Sequence, residues 1–234
     1  MTQSVPLTAQ AHRDLRLLPA RAGLSPAPMS TLAFPVEFRQ LQAHYPIVFQ
    51  KSPEGSSFQP VALFGLQEGQ NLFLGPEGWD ADCVPMAIER EPFLIGRNGA
   101  ELCVNVDLDS PRLSRAEGEP LFLPHGGPSE RLERISSLLL ALHEGLEALP
   151  AFINALLRHE LLESFVLDVE RADGTQSRLS GLYTIDEERL AALDGTALGA
   201  LNAAGHLQPI YMALASVSNF RALIERQRQH ASAA

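Results

Sequence analysis

The sequence predicts an α+β fold, with antiparallel β-hairpins in the N-terminal half and amphipathic helices with one further β-hairpin in the C-terminal half. Three observations carry this reading. Between Leu72 and Asp107, the segment LFLGPEGWDADCVPMAIEREPFLIGRNGAELCVNVD places strand-like runs on either side of Asn98-Gly99, and Asn-Gly supplies the positive φ that a tight hairpin needs. From Leu132 through Ile135, Leu139, Leu142, Leu146 and Leu149, apolar residues recur at spacings of three and four, the stripe of an amphipathic helix. With 234 residues, 45% of them hydrophobic, the chain can bury one substantial core. The expected organisation is a single α+β domain over residues 31–230, preceded by a flexible arm over residues 1–30.

The arm is read from Pro6, Pro19, Pro26 and Pro28 set among Ala, Ser and Arg without sustained periodicity. HYPIVFQ at 44–50 gives a first strand, and SPEGSS at 52–57 a turn. PVALFGL at 60–66 and NLFLG at 71–75 are expected to pair across Gln67–Gln70, and PFLIG at 92–96 with ELCVNVD at 101–107. LFL at 121–123 reads as a short edge strand. Ser129 caps the amphipathic helix, and Pro150 opens a second one running to about Glu163, giving a helical hairpin or a bent single rod. Strands flank Ala172–Thr175. Thr184 and Glu187 have the spacing of a capping box, a short helix near 196–204 ends at Gly205, and Pro209 opens a last helix to about Gln229.

Composition narrows the function classes. The net charge is −10, from 28 acidic against 18 basic residues, and Lys51 is the lone lysine. Such a surface repels phosphate backbones, so nucleic acid is not expected as a partner. Arg221, Arg226 and Arg228 sit on the last helix, but Glu225 intervenes and the helix is otherwise largely Ala, Ser and apolar residues. No segment holds the roughly 18 uninterrupted apolar residues of a membrane span, and the N-terminus lacks the order of a signal peptide, so a cytoplasmic location is expected. Cys83 and Cys103 form neither a CxxC pair nor a disulfide framework and read as buried free thiols. The small and apolar residues from Ile210 to Ala215 suit helix packing or a subunit interface, which leaves a homo-oligomer open.

No motif fixes a catalytic centre, and neither a cofactor nor a metal is implied. His143–Glu147 and His159–Glu163 each place His and Glu four apart on a helix, yet both lack the second His of the zinc-protease pattern. His125-Gly126-Gly127 has no Gly-x-Ser-x-Gly elbow to serve, and no phosphate-binding glycine loop is present. Asp107 with Asp109, and Asp80 with Asp82, are spaced to hold a cation or act as acid and base; aspartate also belongs at such turns for its backbone hydrogen bonds. Trp79, in a Gly-Pro-Glu-Gly-Trp loop, is either a ligand anchor or core packing beneath the loop. The candidate binding residues are Trp79, Asp80, Asp107, Tyr45 and Tyr183, facing a protein or small-molecule ligand. The alternative is an enzyme using the aspartates, His44 or His125, with a metal as an optional partner.

Several motifs fall together in order: His44-Tyr45-Pro46-Ile47-Val48, LFLGPEGWDADCVP at 72–85, Arg90 before Pro92-Phe93, Asp107 and Asp109-Ser110-Pro111, GLYTIDEERL at 181–190, and IYMALASVSNFRAL at 210–223. In these the chain resembles the SapC family of bacterial proteins over roughly residues 30–225. The resemblance implies a non-enzymatic accessory role, associated by name with a surface-layer protein and its export, and it brings no catalytic residues. Cys83 and Glu91 depart from the family pattern, standing where aromatics are expected. If Trp79 and those aromatics form one binding platform, this chain lacks part of it.

Overall fold

The apolar runs at 47–51 and 58–63 form a hairpin across the turn expected at 52–57, closed by Ser52 N–H···O=C Ser57 and its reverse partner, Ser57 N–H to Ser52 Oγ. The computed structural model describes residues 4–52, 54–55, 57–99, 101–170 and 176–233. In it the chain is α+β, with about 35% helix and 27% strand and every sheet antiparallel. It divides into two compact units: residues 4–26, 74–80 and 86–144 in one, and residues 27–73, 81–85 and 145–233 in the other. The sequence reading placed a single domain here. Each unit is assembled from separated segments, which composition along the chain does not reveal.

The first unit contains most of the expected arm. Ser4–Pro6 pairs with Glu101–Asp107, with Val5 opposite Val106, and completes a three-stranded sheet with Phe93–Asn98. Arg16–Leu17 lies between Leu113–Ser114 and Glu119–Pro120 in a second small sheet. For residues 4–26, then, the flexible arm is replaced by docked structure. Ser4–Pro6 is an edge strand, a position that tolerates Pro6, whereas Arg16–Leu17 is the middle strand of its sheet; Leu15 and Leu17 are buried. The Asn98-Gly99 hairpin forms as expected, with Asn98 opposite Glu101 and Gly99 at φ +64°. Its second strand buries Val106 while Leu102 stays 40% exposed.

The second unit holds a five-stranded sheet in the order Leu162–Glu170, Gln176–Ile185, Ile47–Lys51, Phe58–Leu63, Ser30–Leu32. Ile47, Val48 and Phe49 are fully buried, so this central strand is covered on both faces. The expected pairing of 60–66 with 71–75 is corrected. Phe58–Leu63 pairs with Ile47–Lys51 and Ser30–Leu32, while Leu74–Gly75 pairs with Gly78–Trp79. Leu72 and Phe73 enter the core at 3% exposure instead of a ladder. The expected turn at 172–175 lies outside the described residues; the strands on either side of it pair from Glu170 with Gln176 to Leu162 with Ile185.

Of the two expected alternatives, the single rod is found: one helix, Glu130–Arg158, passes through Pro150. Pro150 and Leu146 both face solvent, so the Leu146 carbonyl left without its helical donor can be hydrated. The helix ends in a reversal at Glu160, φ +51°, with Leu161 N–H on Leu156 O at 2.9 Å, so residues 162–163 are strand. By length and composition alone this helix could cross a membrane. Its buried positions, Leu132, Ile135, Leu139, Leu142, Leu149, Phe152, Ile153 and Leu156, follow the three-four spacing of a helix on a protein core. Asp186, not Thr184, caps Glu187–Ala191, because Thr184 is committed to the strand ladder opposite Glu163. The expected last helix is two, Leu207–Ser216 and Asn219–Ala233. At the break, Ser216 and Ser218 donate to the Ala213 and Ala215 carbonyls, and Ser216 Oγ accepts the Ile47 amide at 2.8 Å.

Candidate binding site

Asp107 ends the Glu101–Asp107 strand, where its Oδ1 accepts the Asp109 amide at 3.1 Å and its carbonyl accepts the Ser110 amide at 3.2 Å. This turn carries the chain into Asp109-Ser110-Pro111-Arg112, and these residues line a cleft of about 550 Å³ in the first unit. The opposite walls come from Arg90, Glu91, Pro92 and Leu94 and from Gly23, Leu24, Ser25 and Pro26. The volume lies within the range of small-ligand sites.

The two arginines are held by backbone carbonyls. Arg90 donates to Phe93 O at 2.9 Å, and Arg112, only 3% exposed, donates through Nε to Leu18 O at 3.2 Å and through its guanidinium to Glu91 O. Burial pushes the Glu91 carboxyl above its ordinary range, against the opposing pull of Arg90 and Arg112. Burial likewise lowers Arg112, with Arg131 adding to the effect and Glu91 opposing it. Ser25 has a buried hydroxyl with no hydrogen-bond partner among the described residues. The cleft thus offers three carboxyls, two fixed guanidiniums and an orphaned hydroxyl, a set suited to a polar ligand bearing charge of both signs.

Of the residues singled out in the sequence, Asp107 lines this cleft, whereas Trp79 and Asp80 do not. Trp79 is half-buried on the small Leu74–Gly75/Gly78–Trp79 hairpin, opposite Leu74, and Asp80 is exposed. Tyr45 belongs to the second unit and is a core residue, which corrects its reading as a binding-surface residue. It is fully buried, with Phe73 and Phe64 ring centroids at 4.8 Å and 5.4 Å, and its hydroxyl donates to Cys83 O. Tyr183, half-buried on the Gln176–Ile185 strand, stacks edge-on against Phe58 at 4.8 Å.

The other motifs resolve structurally. His159–Glu163 straddles the helix end and a strand, so it shares no helical face, while His143 and Glu147 remain one turn apart on the long helix. His125 is exposed in a turn closed by Gly126 N–H on Leu123 O. Neither cysteine forms a disulfide among the described residues, and both are half-buried. Arg226 lies 4.4 Å from the Phe73 ring centroid and Arg228 4.0 Å from Glu225. Among the described residues, no three His, Cys, Asp or Glu side chains are grouped to hold a metal ion.

Sequence reasoning missed Arg112 and the part Glu91 plays in the cleft. Arg112 directly follows the Asp-Ser-Pro turn, a position that local pattern alone marks only weakly. The SapC family model matches residues 7–223 of the 234-residue chain. No curated protein and no solved structure matches the chain.

Proposed function

The chain belongs to the SapC family, and on that premise we propose that it is a non-enzymatic accessory protein holding a polypeptide segment or small polar ligand in the cleft around Asp107. The observation that carries this reading is that two separated motifs of the family resemblance, Arg90 with Pro92 and Asp107 with Asp109-Ser110-Pro111, line one cleft. The fixed guanidiniums and the unpartnered Ser25 hydroxyl support binding, because buried polar groups call for partners. On this reading the protein works in the cytoplasm of a bacterium, and the partner class that the resemblance brings forward is a surface protein destined for export.

Affinity capture from a bacterial extract by the full chain, quantified by mass spectrometry, tests the proposal. A species retained by the wild type should fall by about tenfold or more on Asp107→Asn, the loss of one charged hydrogen-bonding partner. It should persist on Trp79→Ala, whose ring does not line the cleft. Capture that ignores Asp107→Asn in a folded protein defeats the proposal.

A second reading, an enzyme, draws on Glu91. A carboxyl raised by burial beside two further carboxyls has the makings of an acid–base group. Turnover of a bound ligand that is lost in Glu91→Gln while binding persists would favour it over the accessory role.

A further inference from the structure

A second cavity of the first unit, about 320 Å³, collects three arginines that the sequence holds far apart: Arg13, Arg16 and Arg115. The fold brings them together. Arg16 sits on the middle strand of the small sheet, opposite Ser114 on one side and Pro120 on the other, so Arg115 follows directly on the neighbouring strand. Two of the guanidiniums are anchored by the backbone: Arg16 donates to Gly118 O at 2.9 Å and Arg13 to Pro124 O. Each guanidinium carries five N–H donors in a fixed fork, so most donors remain available.

On this wall positive charge outweighs negative, three arginines against one aspartate. Several other arginines meet carboxylates: Arg131 and Arg134 with Glu119, Arg178 with Asp168, Arg189 with Glu160 and Asp186. Among the described residues, none of Arg13, Arg16 and Arg115 has a carboxylate within ion-pair distance. Asp14 is the one acidic residue on the cavity wall. In a chain of net charge −10, three like charges on a small wall raise a local positive potential that an anion relieves. The same cavity is lined by Leu15 and Phe122, both buried, and by Leu123, 39% exposed.

We infer that this cavity is a binding site for a small organic oxyanion, a carboxylate or phosphate attached to an apolar body, gripped by Arg13, Arg16 and Arg115 and packed against Phe122 and Leu123. The site is separate from the cleft around Asp107 and does not depend on the function proposed for it.

Calorimetric titration of the full chain with phenyl phosphate, benzoate and inorganic phosphate tests the inference. Saturable binding of phenyl phosphate or benzoate is expected, weakening as salt rises, and the tighter of the two identifies the oxyanion. Arg115→Gln should weaken it by about tenfold or more, as expected for loss of a charge-assisted hydrogen bond, without changing the melting temperature, since Arg115 is exposed. Leu123→Ala should weaken the aromatic anions more than inorganic phosphate. Absence of saturable binding by all three anions, or binding unchanged in both Arg115→Gln and Arg13→Gln, overturns the inference.

Discussion

Arg112 shows what a buried cation does when the backbone holds it. Its guanidinium joins Leu18 O to Glu91 O, tying the N-terminal segment to the 90–93 turn. Arg112→Leu leaves both acceptors unpaired and should cost about 2–4 kcal/mol, read as a lower urea midpoint; Arg112→Lys should recover little, because a point ammonium does not reproduce the fork. Glu91, beside it, makes stability depend on pH. Since burial raises its folded carboxyl above the ordinary value, the unfolded chain releases that proton first. The native state therefore loses stability as pH rises from the ordinary carboxylate range through the raised one. Glu91→Gln does not titrate, so its stability relative to wild type should climb across that interval and then level off; a flat difference across the same urea series contradicts this. At this scale the place of Asp107 at a strand end was legible, because a strand followed by an Asp-rich turn has a local signature. Tyr45 was misplaced because the rings that bury it, Phe64 and Phe73, lie many residues downstream.

Among the elements, the long helix was the most legible, since Ser129 accepts the Leu132 amide as expected of a cap and five of the six stripe residues are buried. Leu146 is the exception at 50% exposure. The buried face passes through Gly145, and a glycine carries no apolar signal to announce it. A Cβ at Gly145 would lie 2.8 Å from Phe34 Cδ1, on a ring that is 1% exposed. On an open helix Gly→Ala would stabilise by about 1 kcal/mol; against this ring, overpacking of about 1–3 kcal/mol should win. Gly145→Ala should therefore lower the melting temperature, and Phe34→Leu in the same chain should offset part of the loss in a double-mutant cycle. The Asn98-Gly99 hairpin was legible for the same reason as the cap, since its determinants are local; at 52–57 the turn was legible but the pairing was not, because 60–66 was expected against 71–75, and Phe58–Leu63 pairs instead with Ile47–Lys51 and Ser30–Leu32. The break between Leu207–Ser216 and Asn219–Ala233 was not, because it is set partly by Ser216 accepting the amide of Ile47 from a distant strand.

The whole molecule is where local reading runs out, because both units are built from segments that return after long excursions. Residues 4–7 illustrate the point: their composition reads as a tail, yet Val5 faces Val106 and Leu7 N–H donates to Val104 O at 2.8 Å. Removing residues 1–7 should speed amide exchange within Glu101–Asp107 and leave Ile47–Lys51 protected; mass-spectrometric exchange showing equal protection in both forms would refute the docking. The order of the central sheet bears on how the protein comes into being. Ile47–Lys51, wholly apolar over its first three residues, pairs on one side with a strand that begins at Gln176. At about 5–20 residues per second of synthesis, that partner emerges on the order of ten seconds later. Until then a sticky β edge is open in the nascent chain, so holding factors near the ribosome should matter more to the yield of this protein than its modest size suggests.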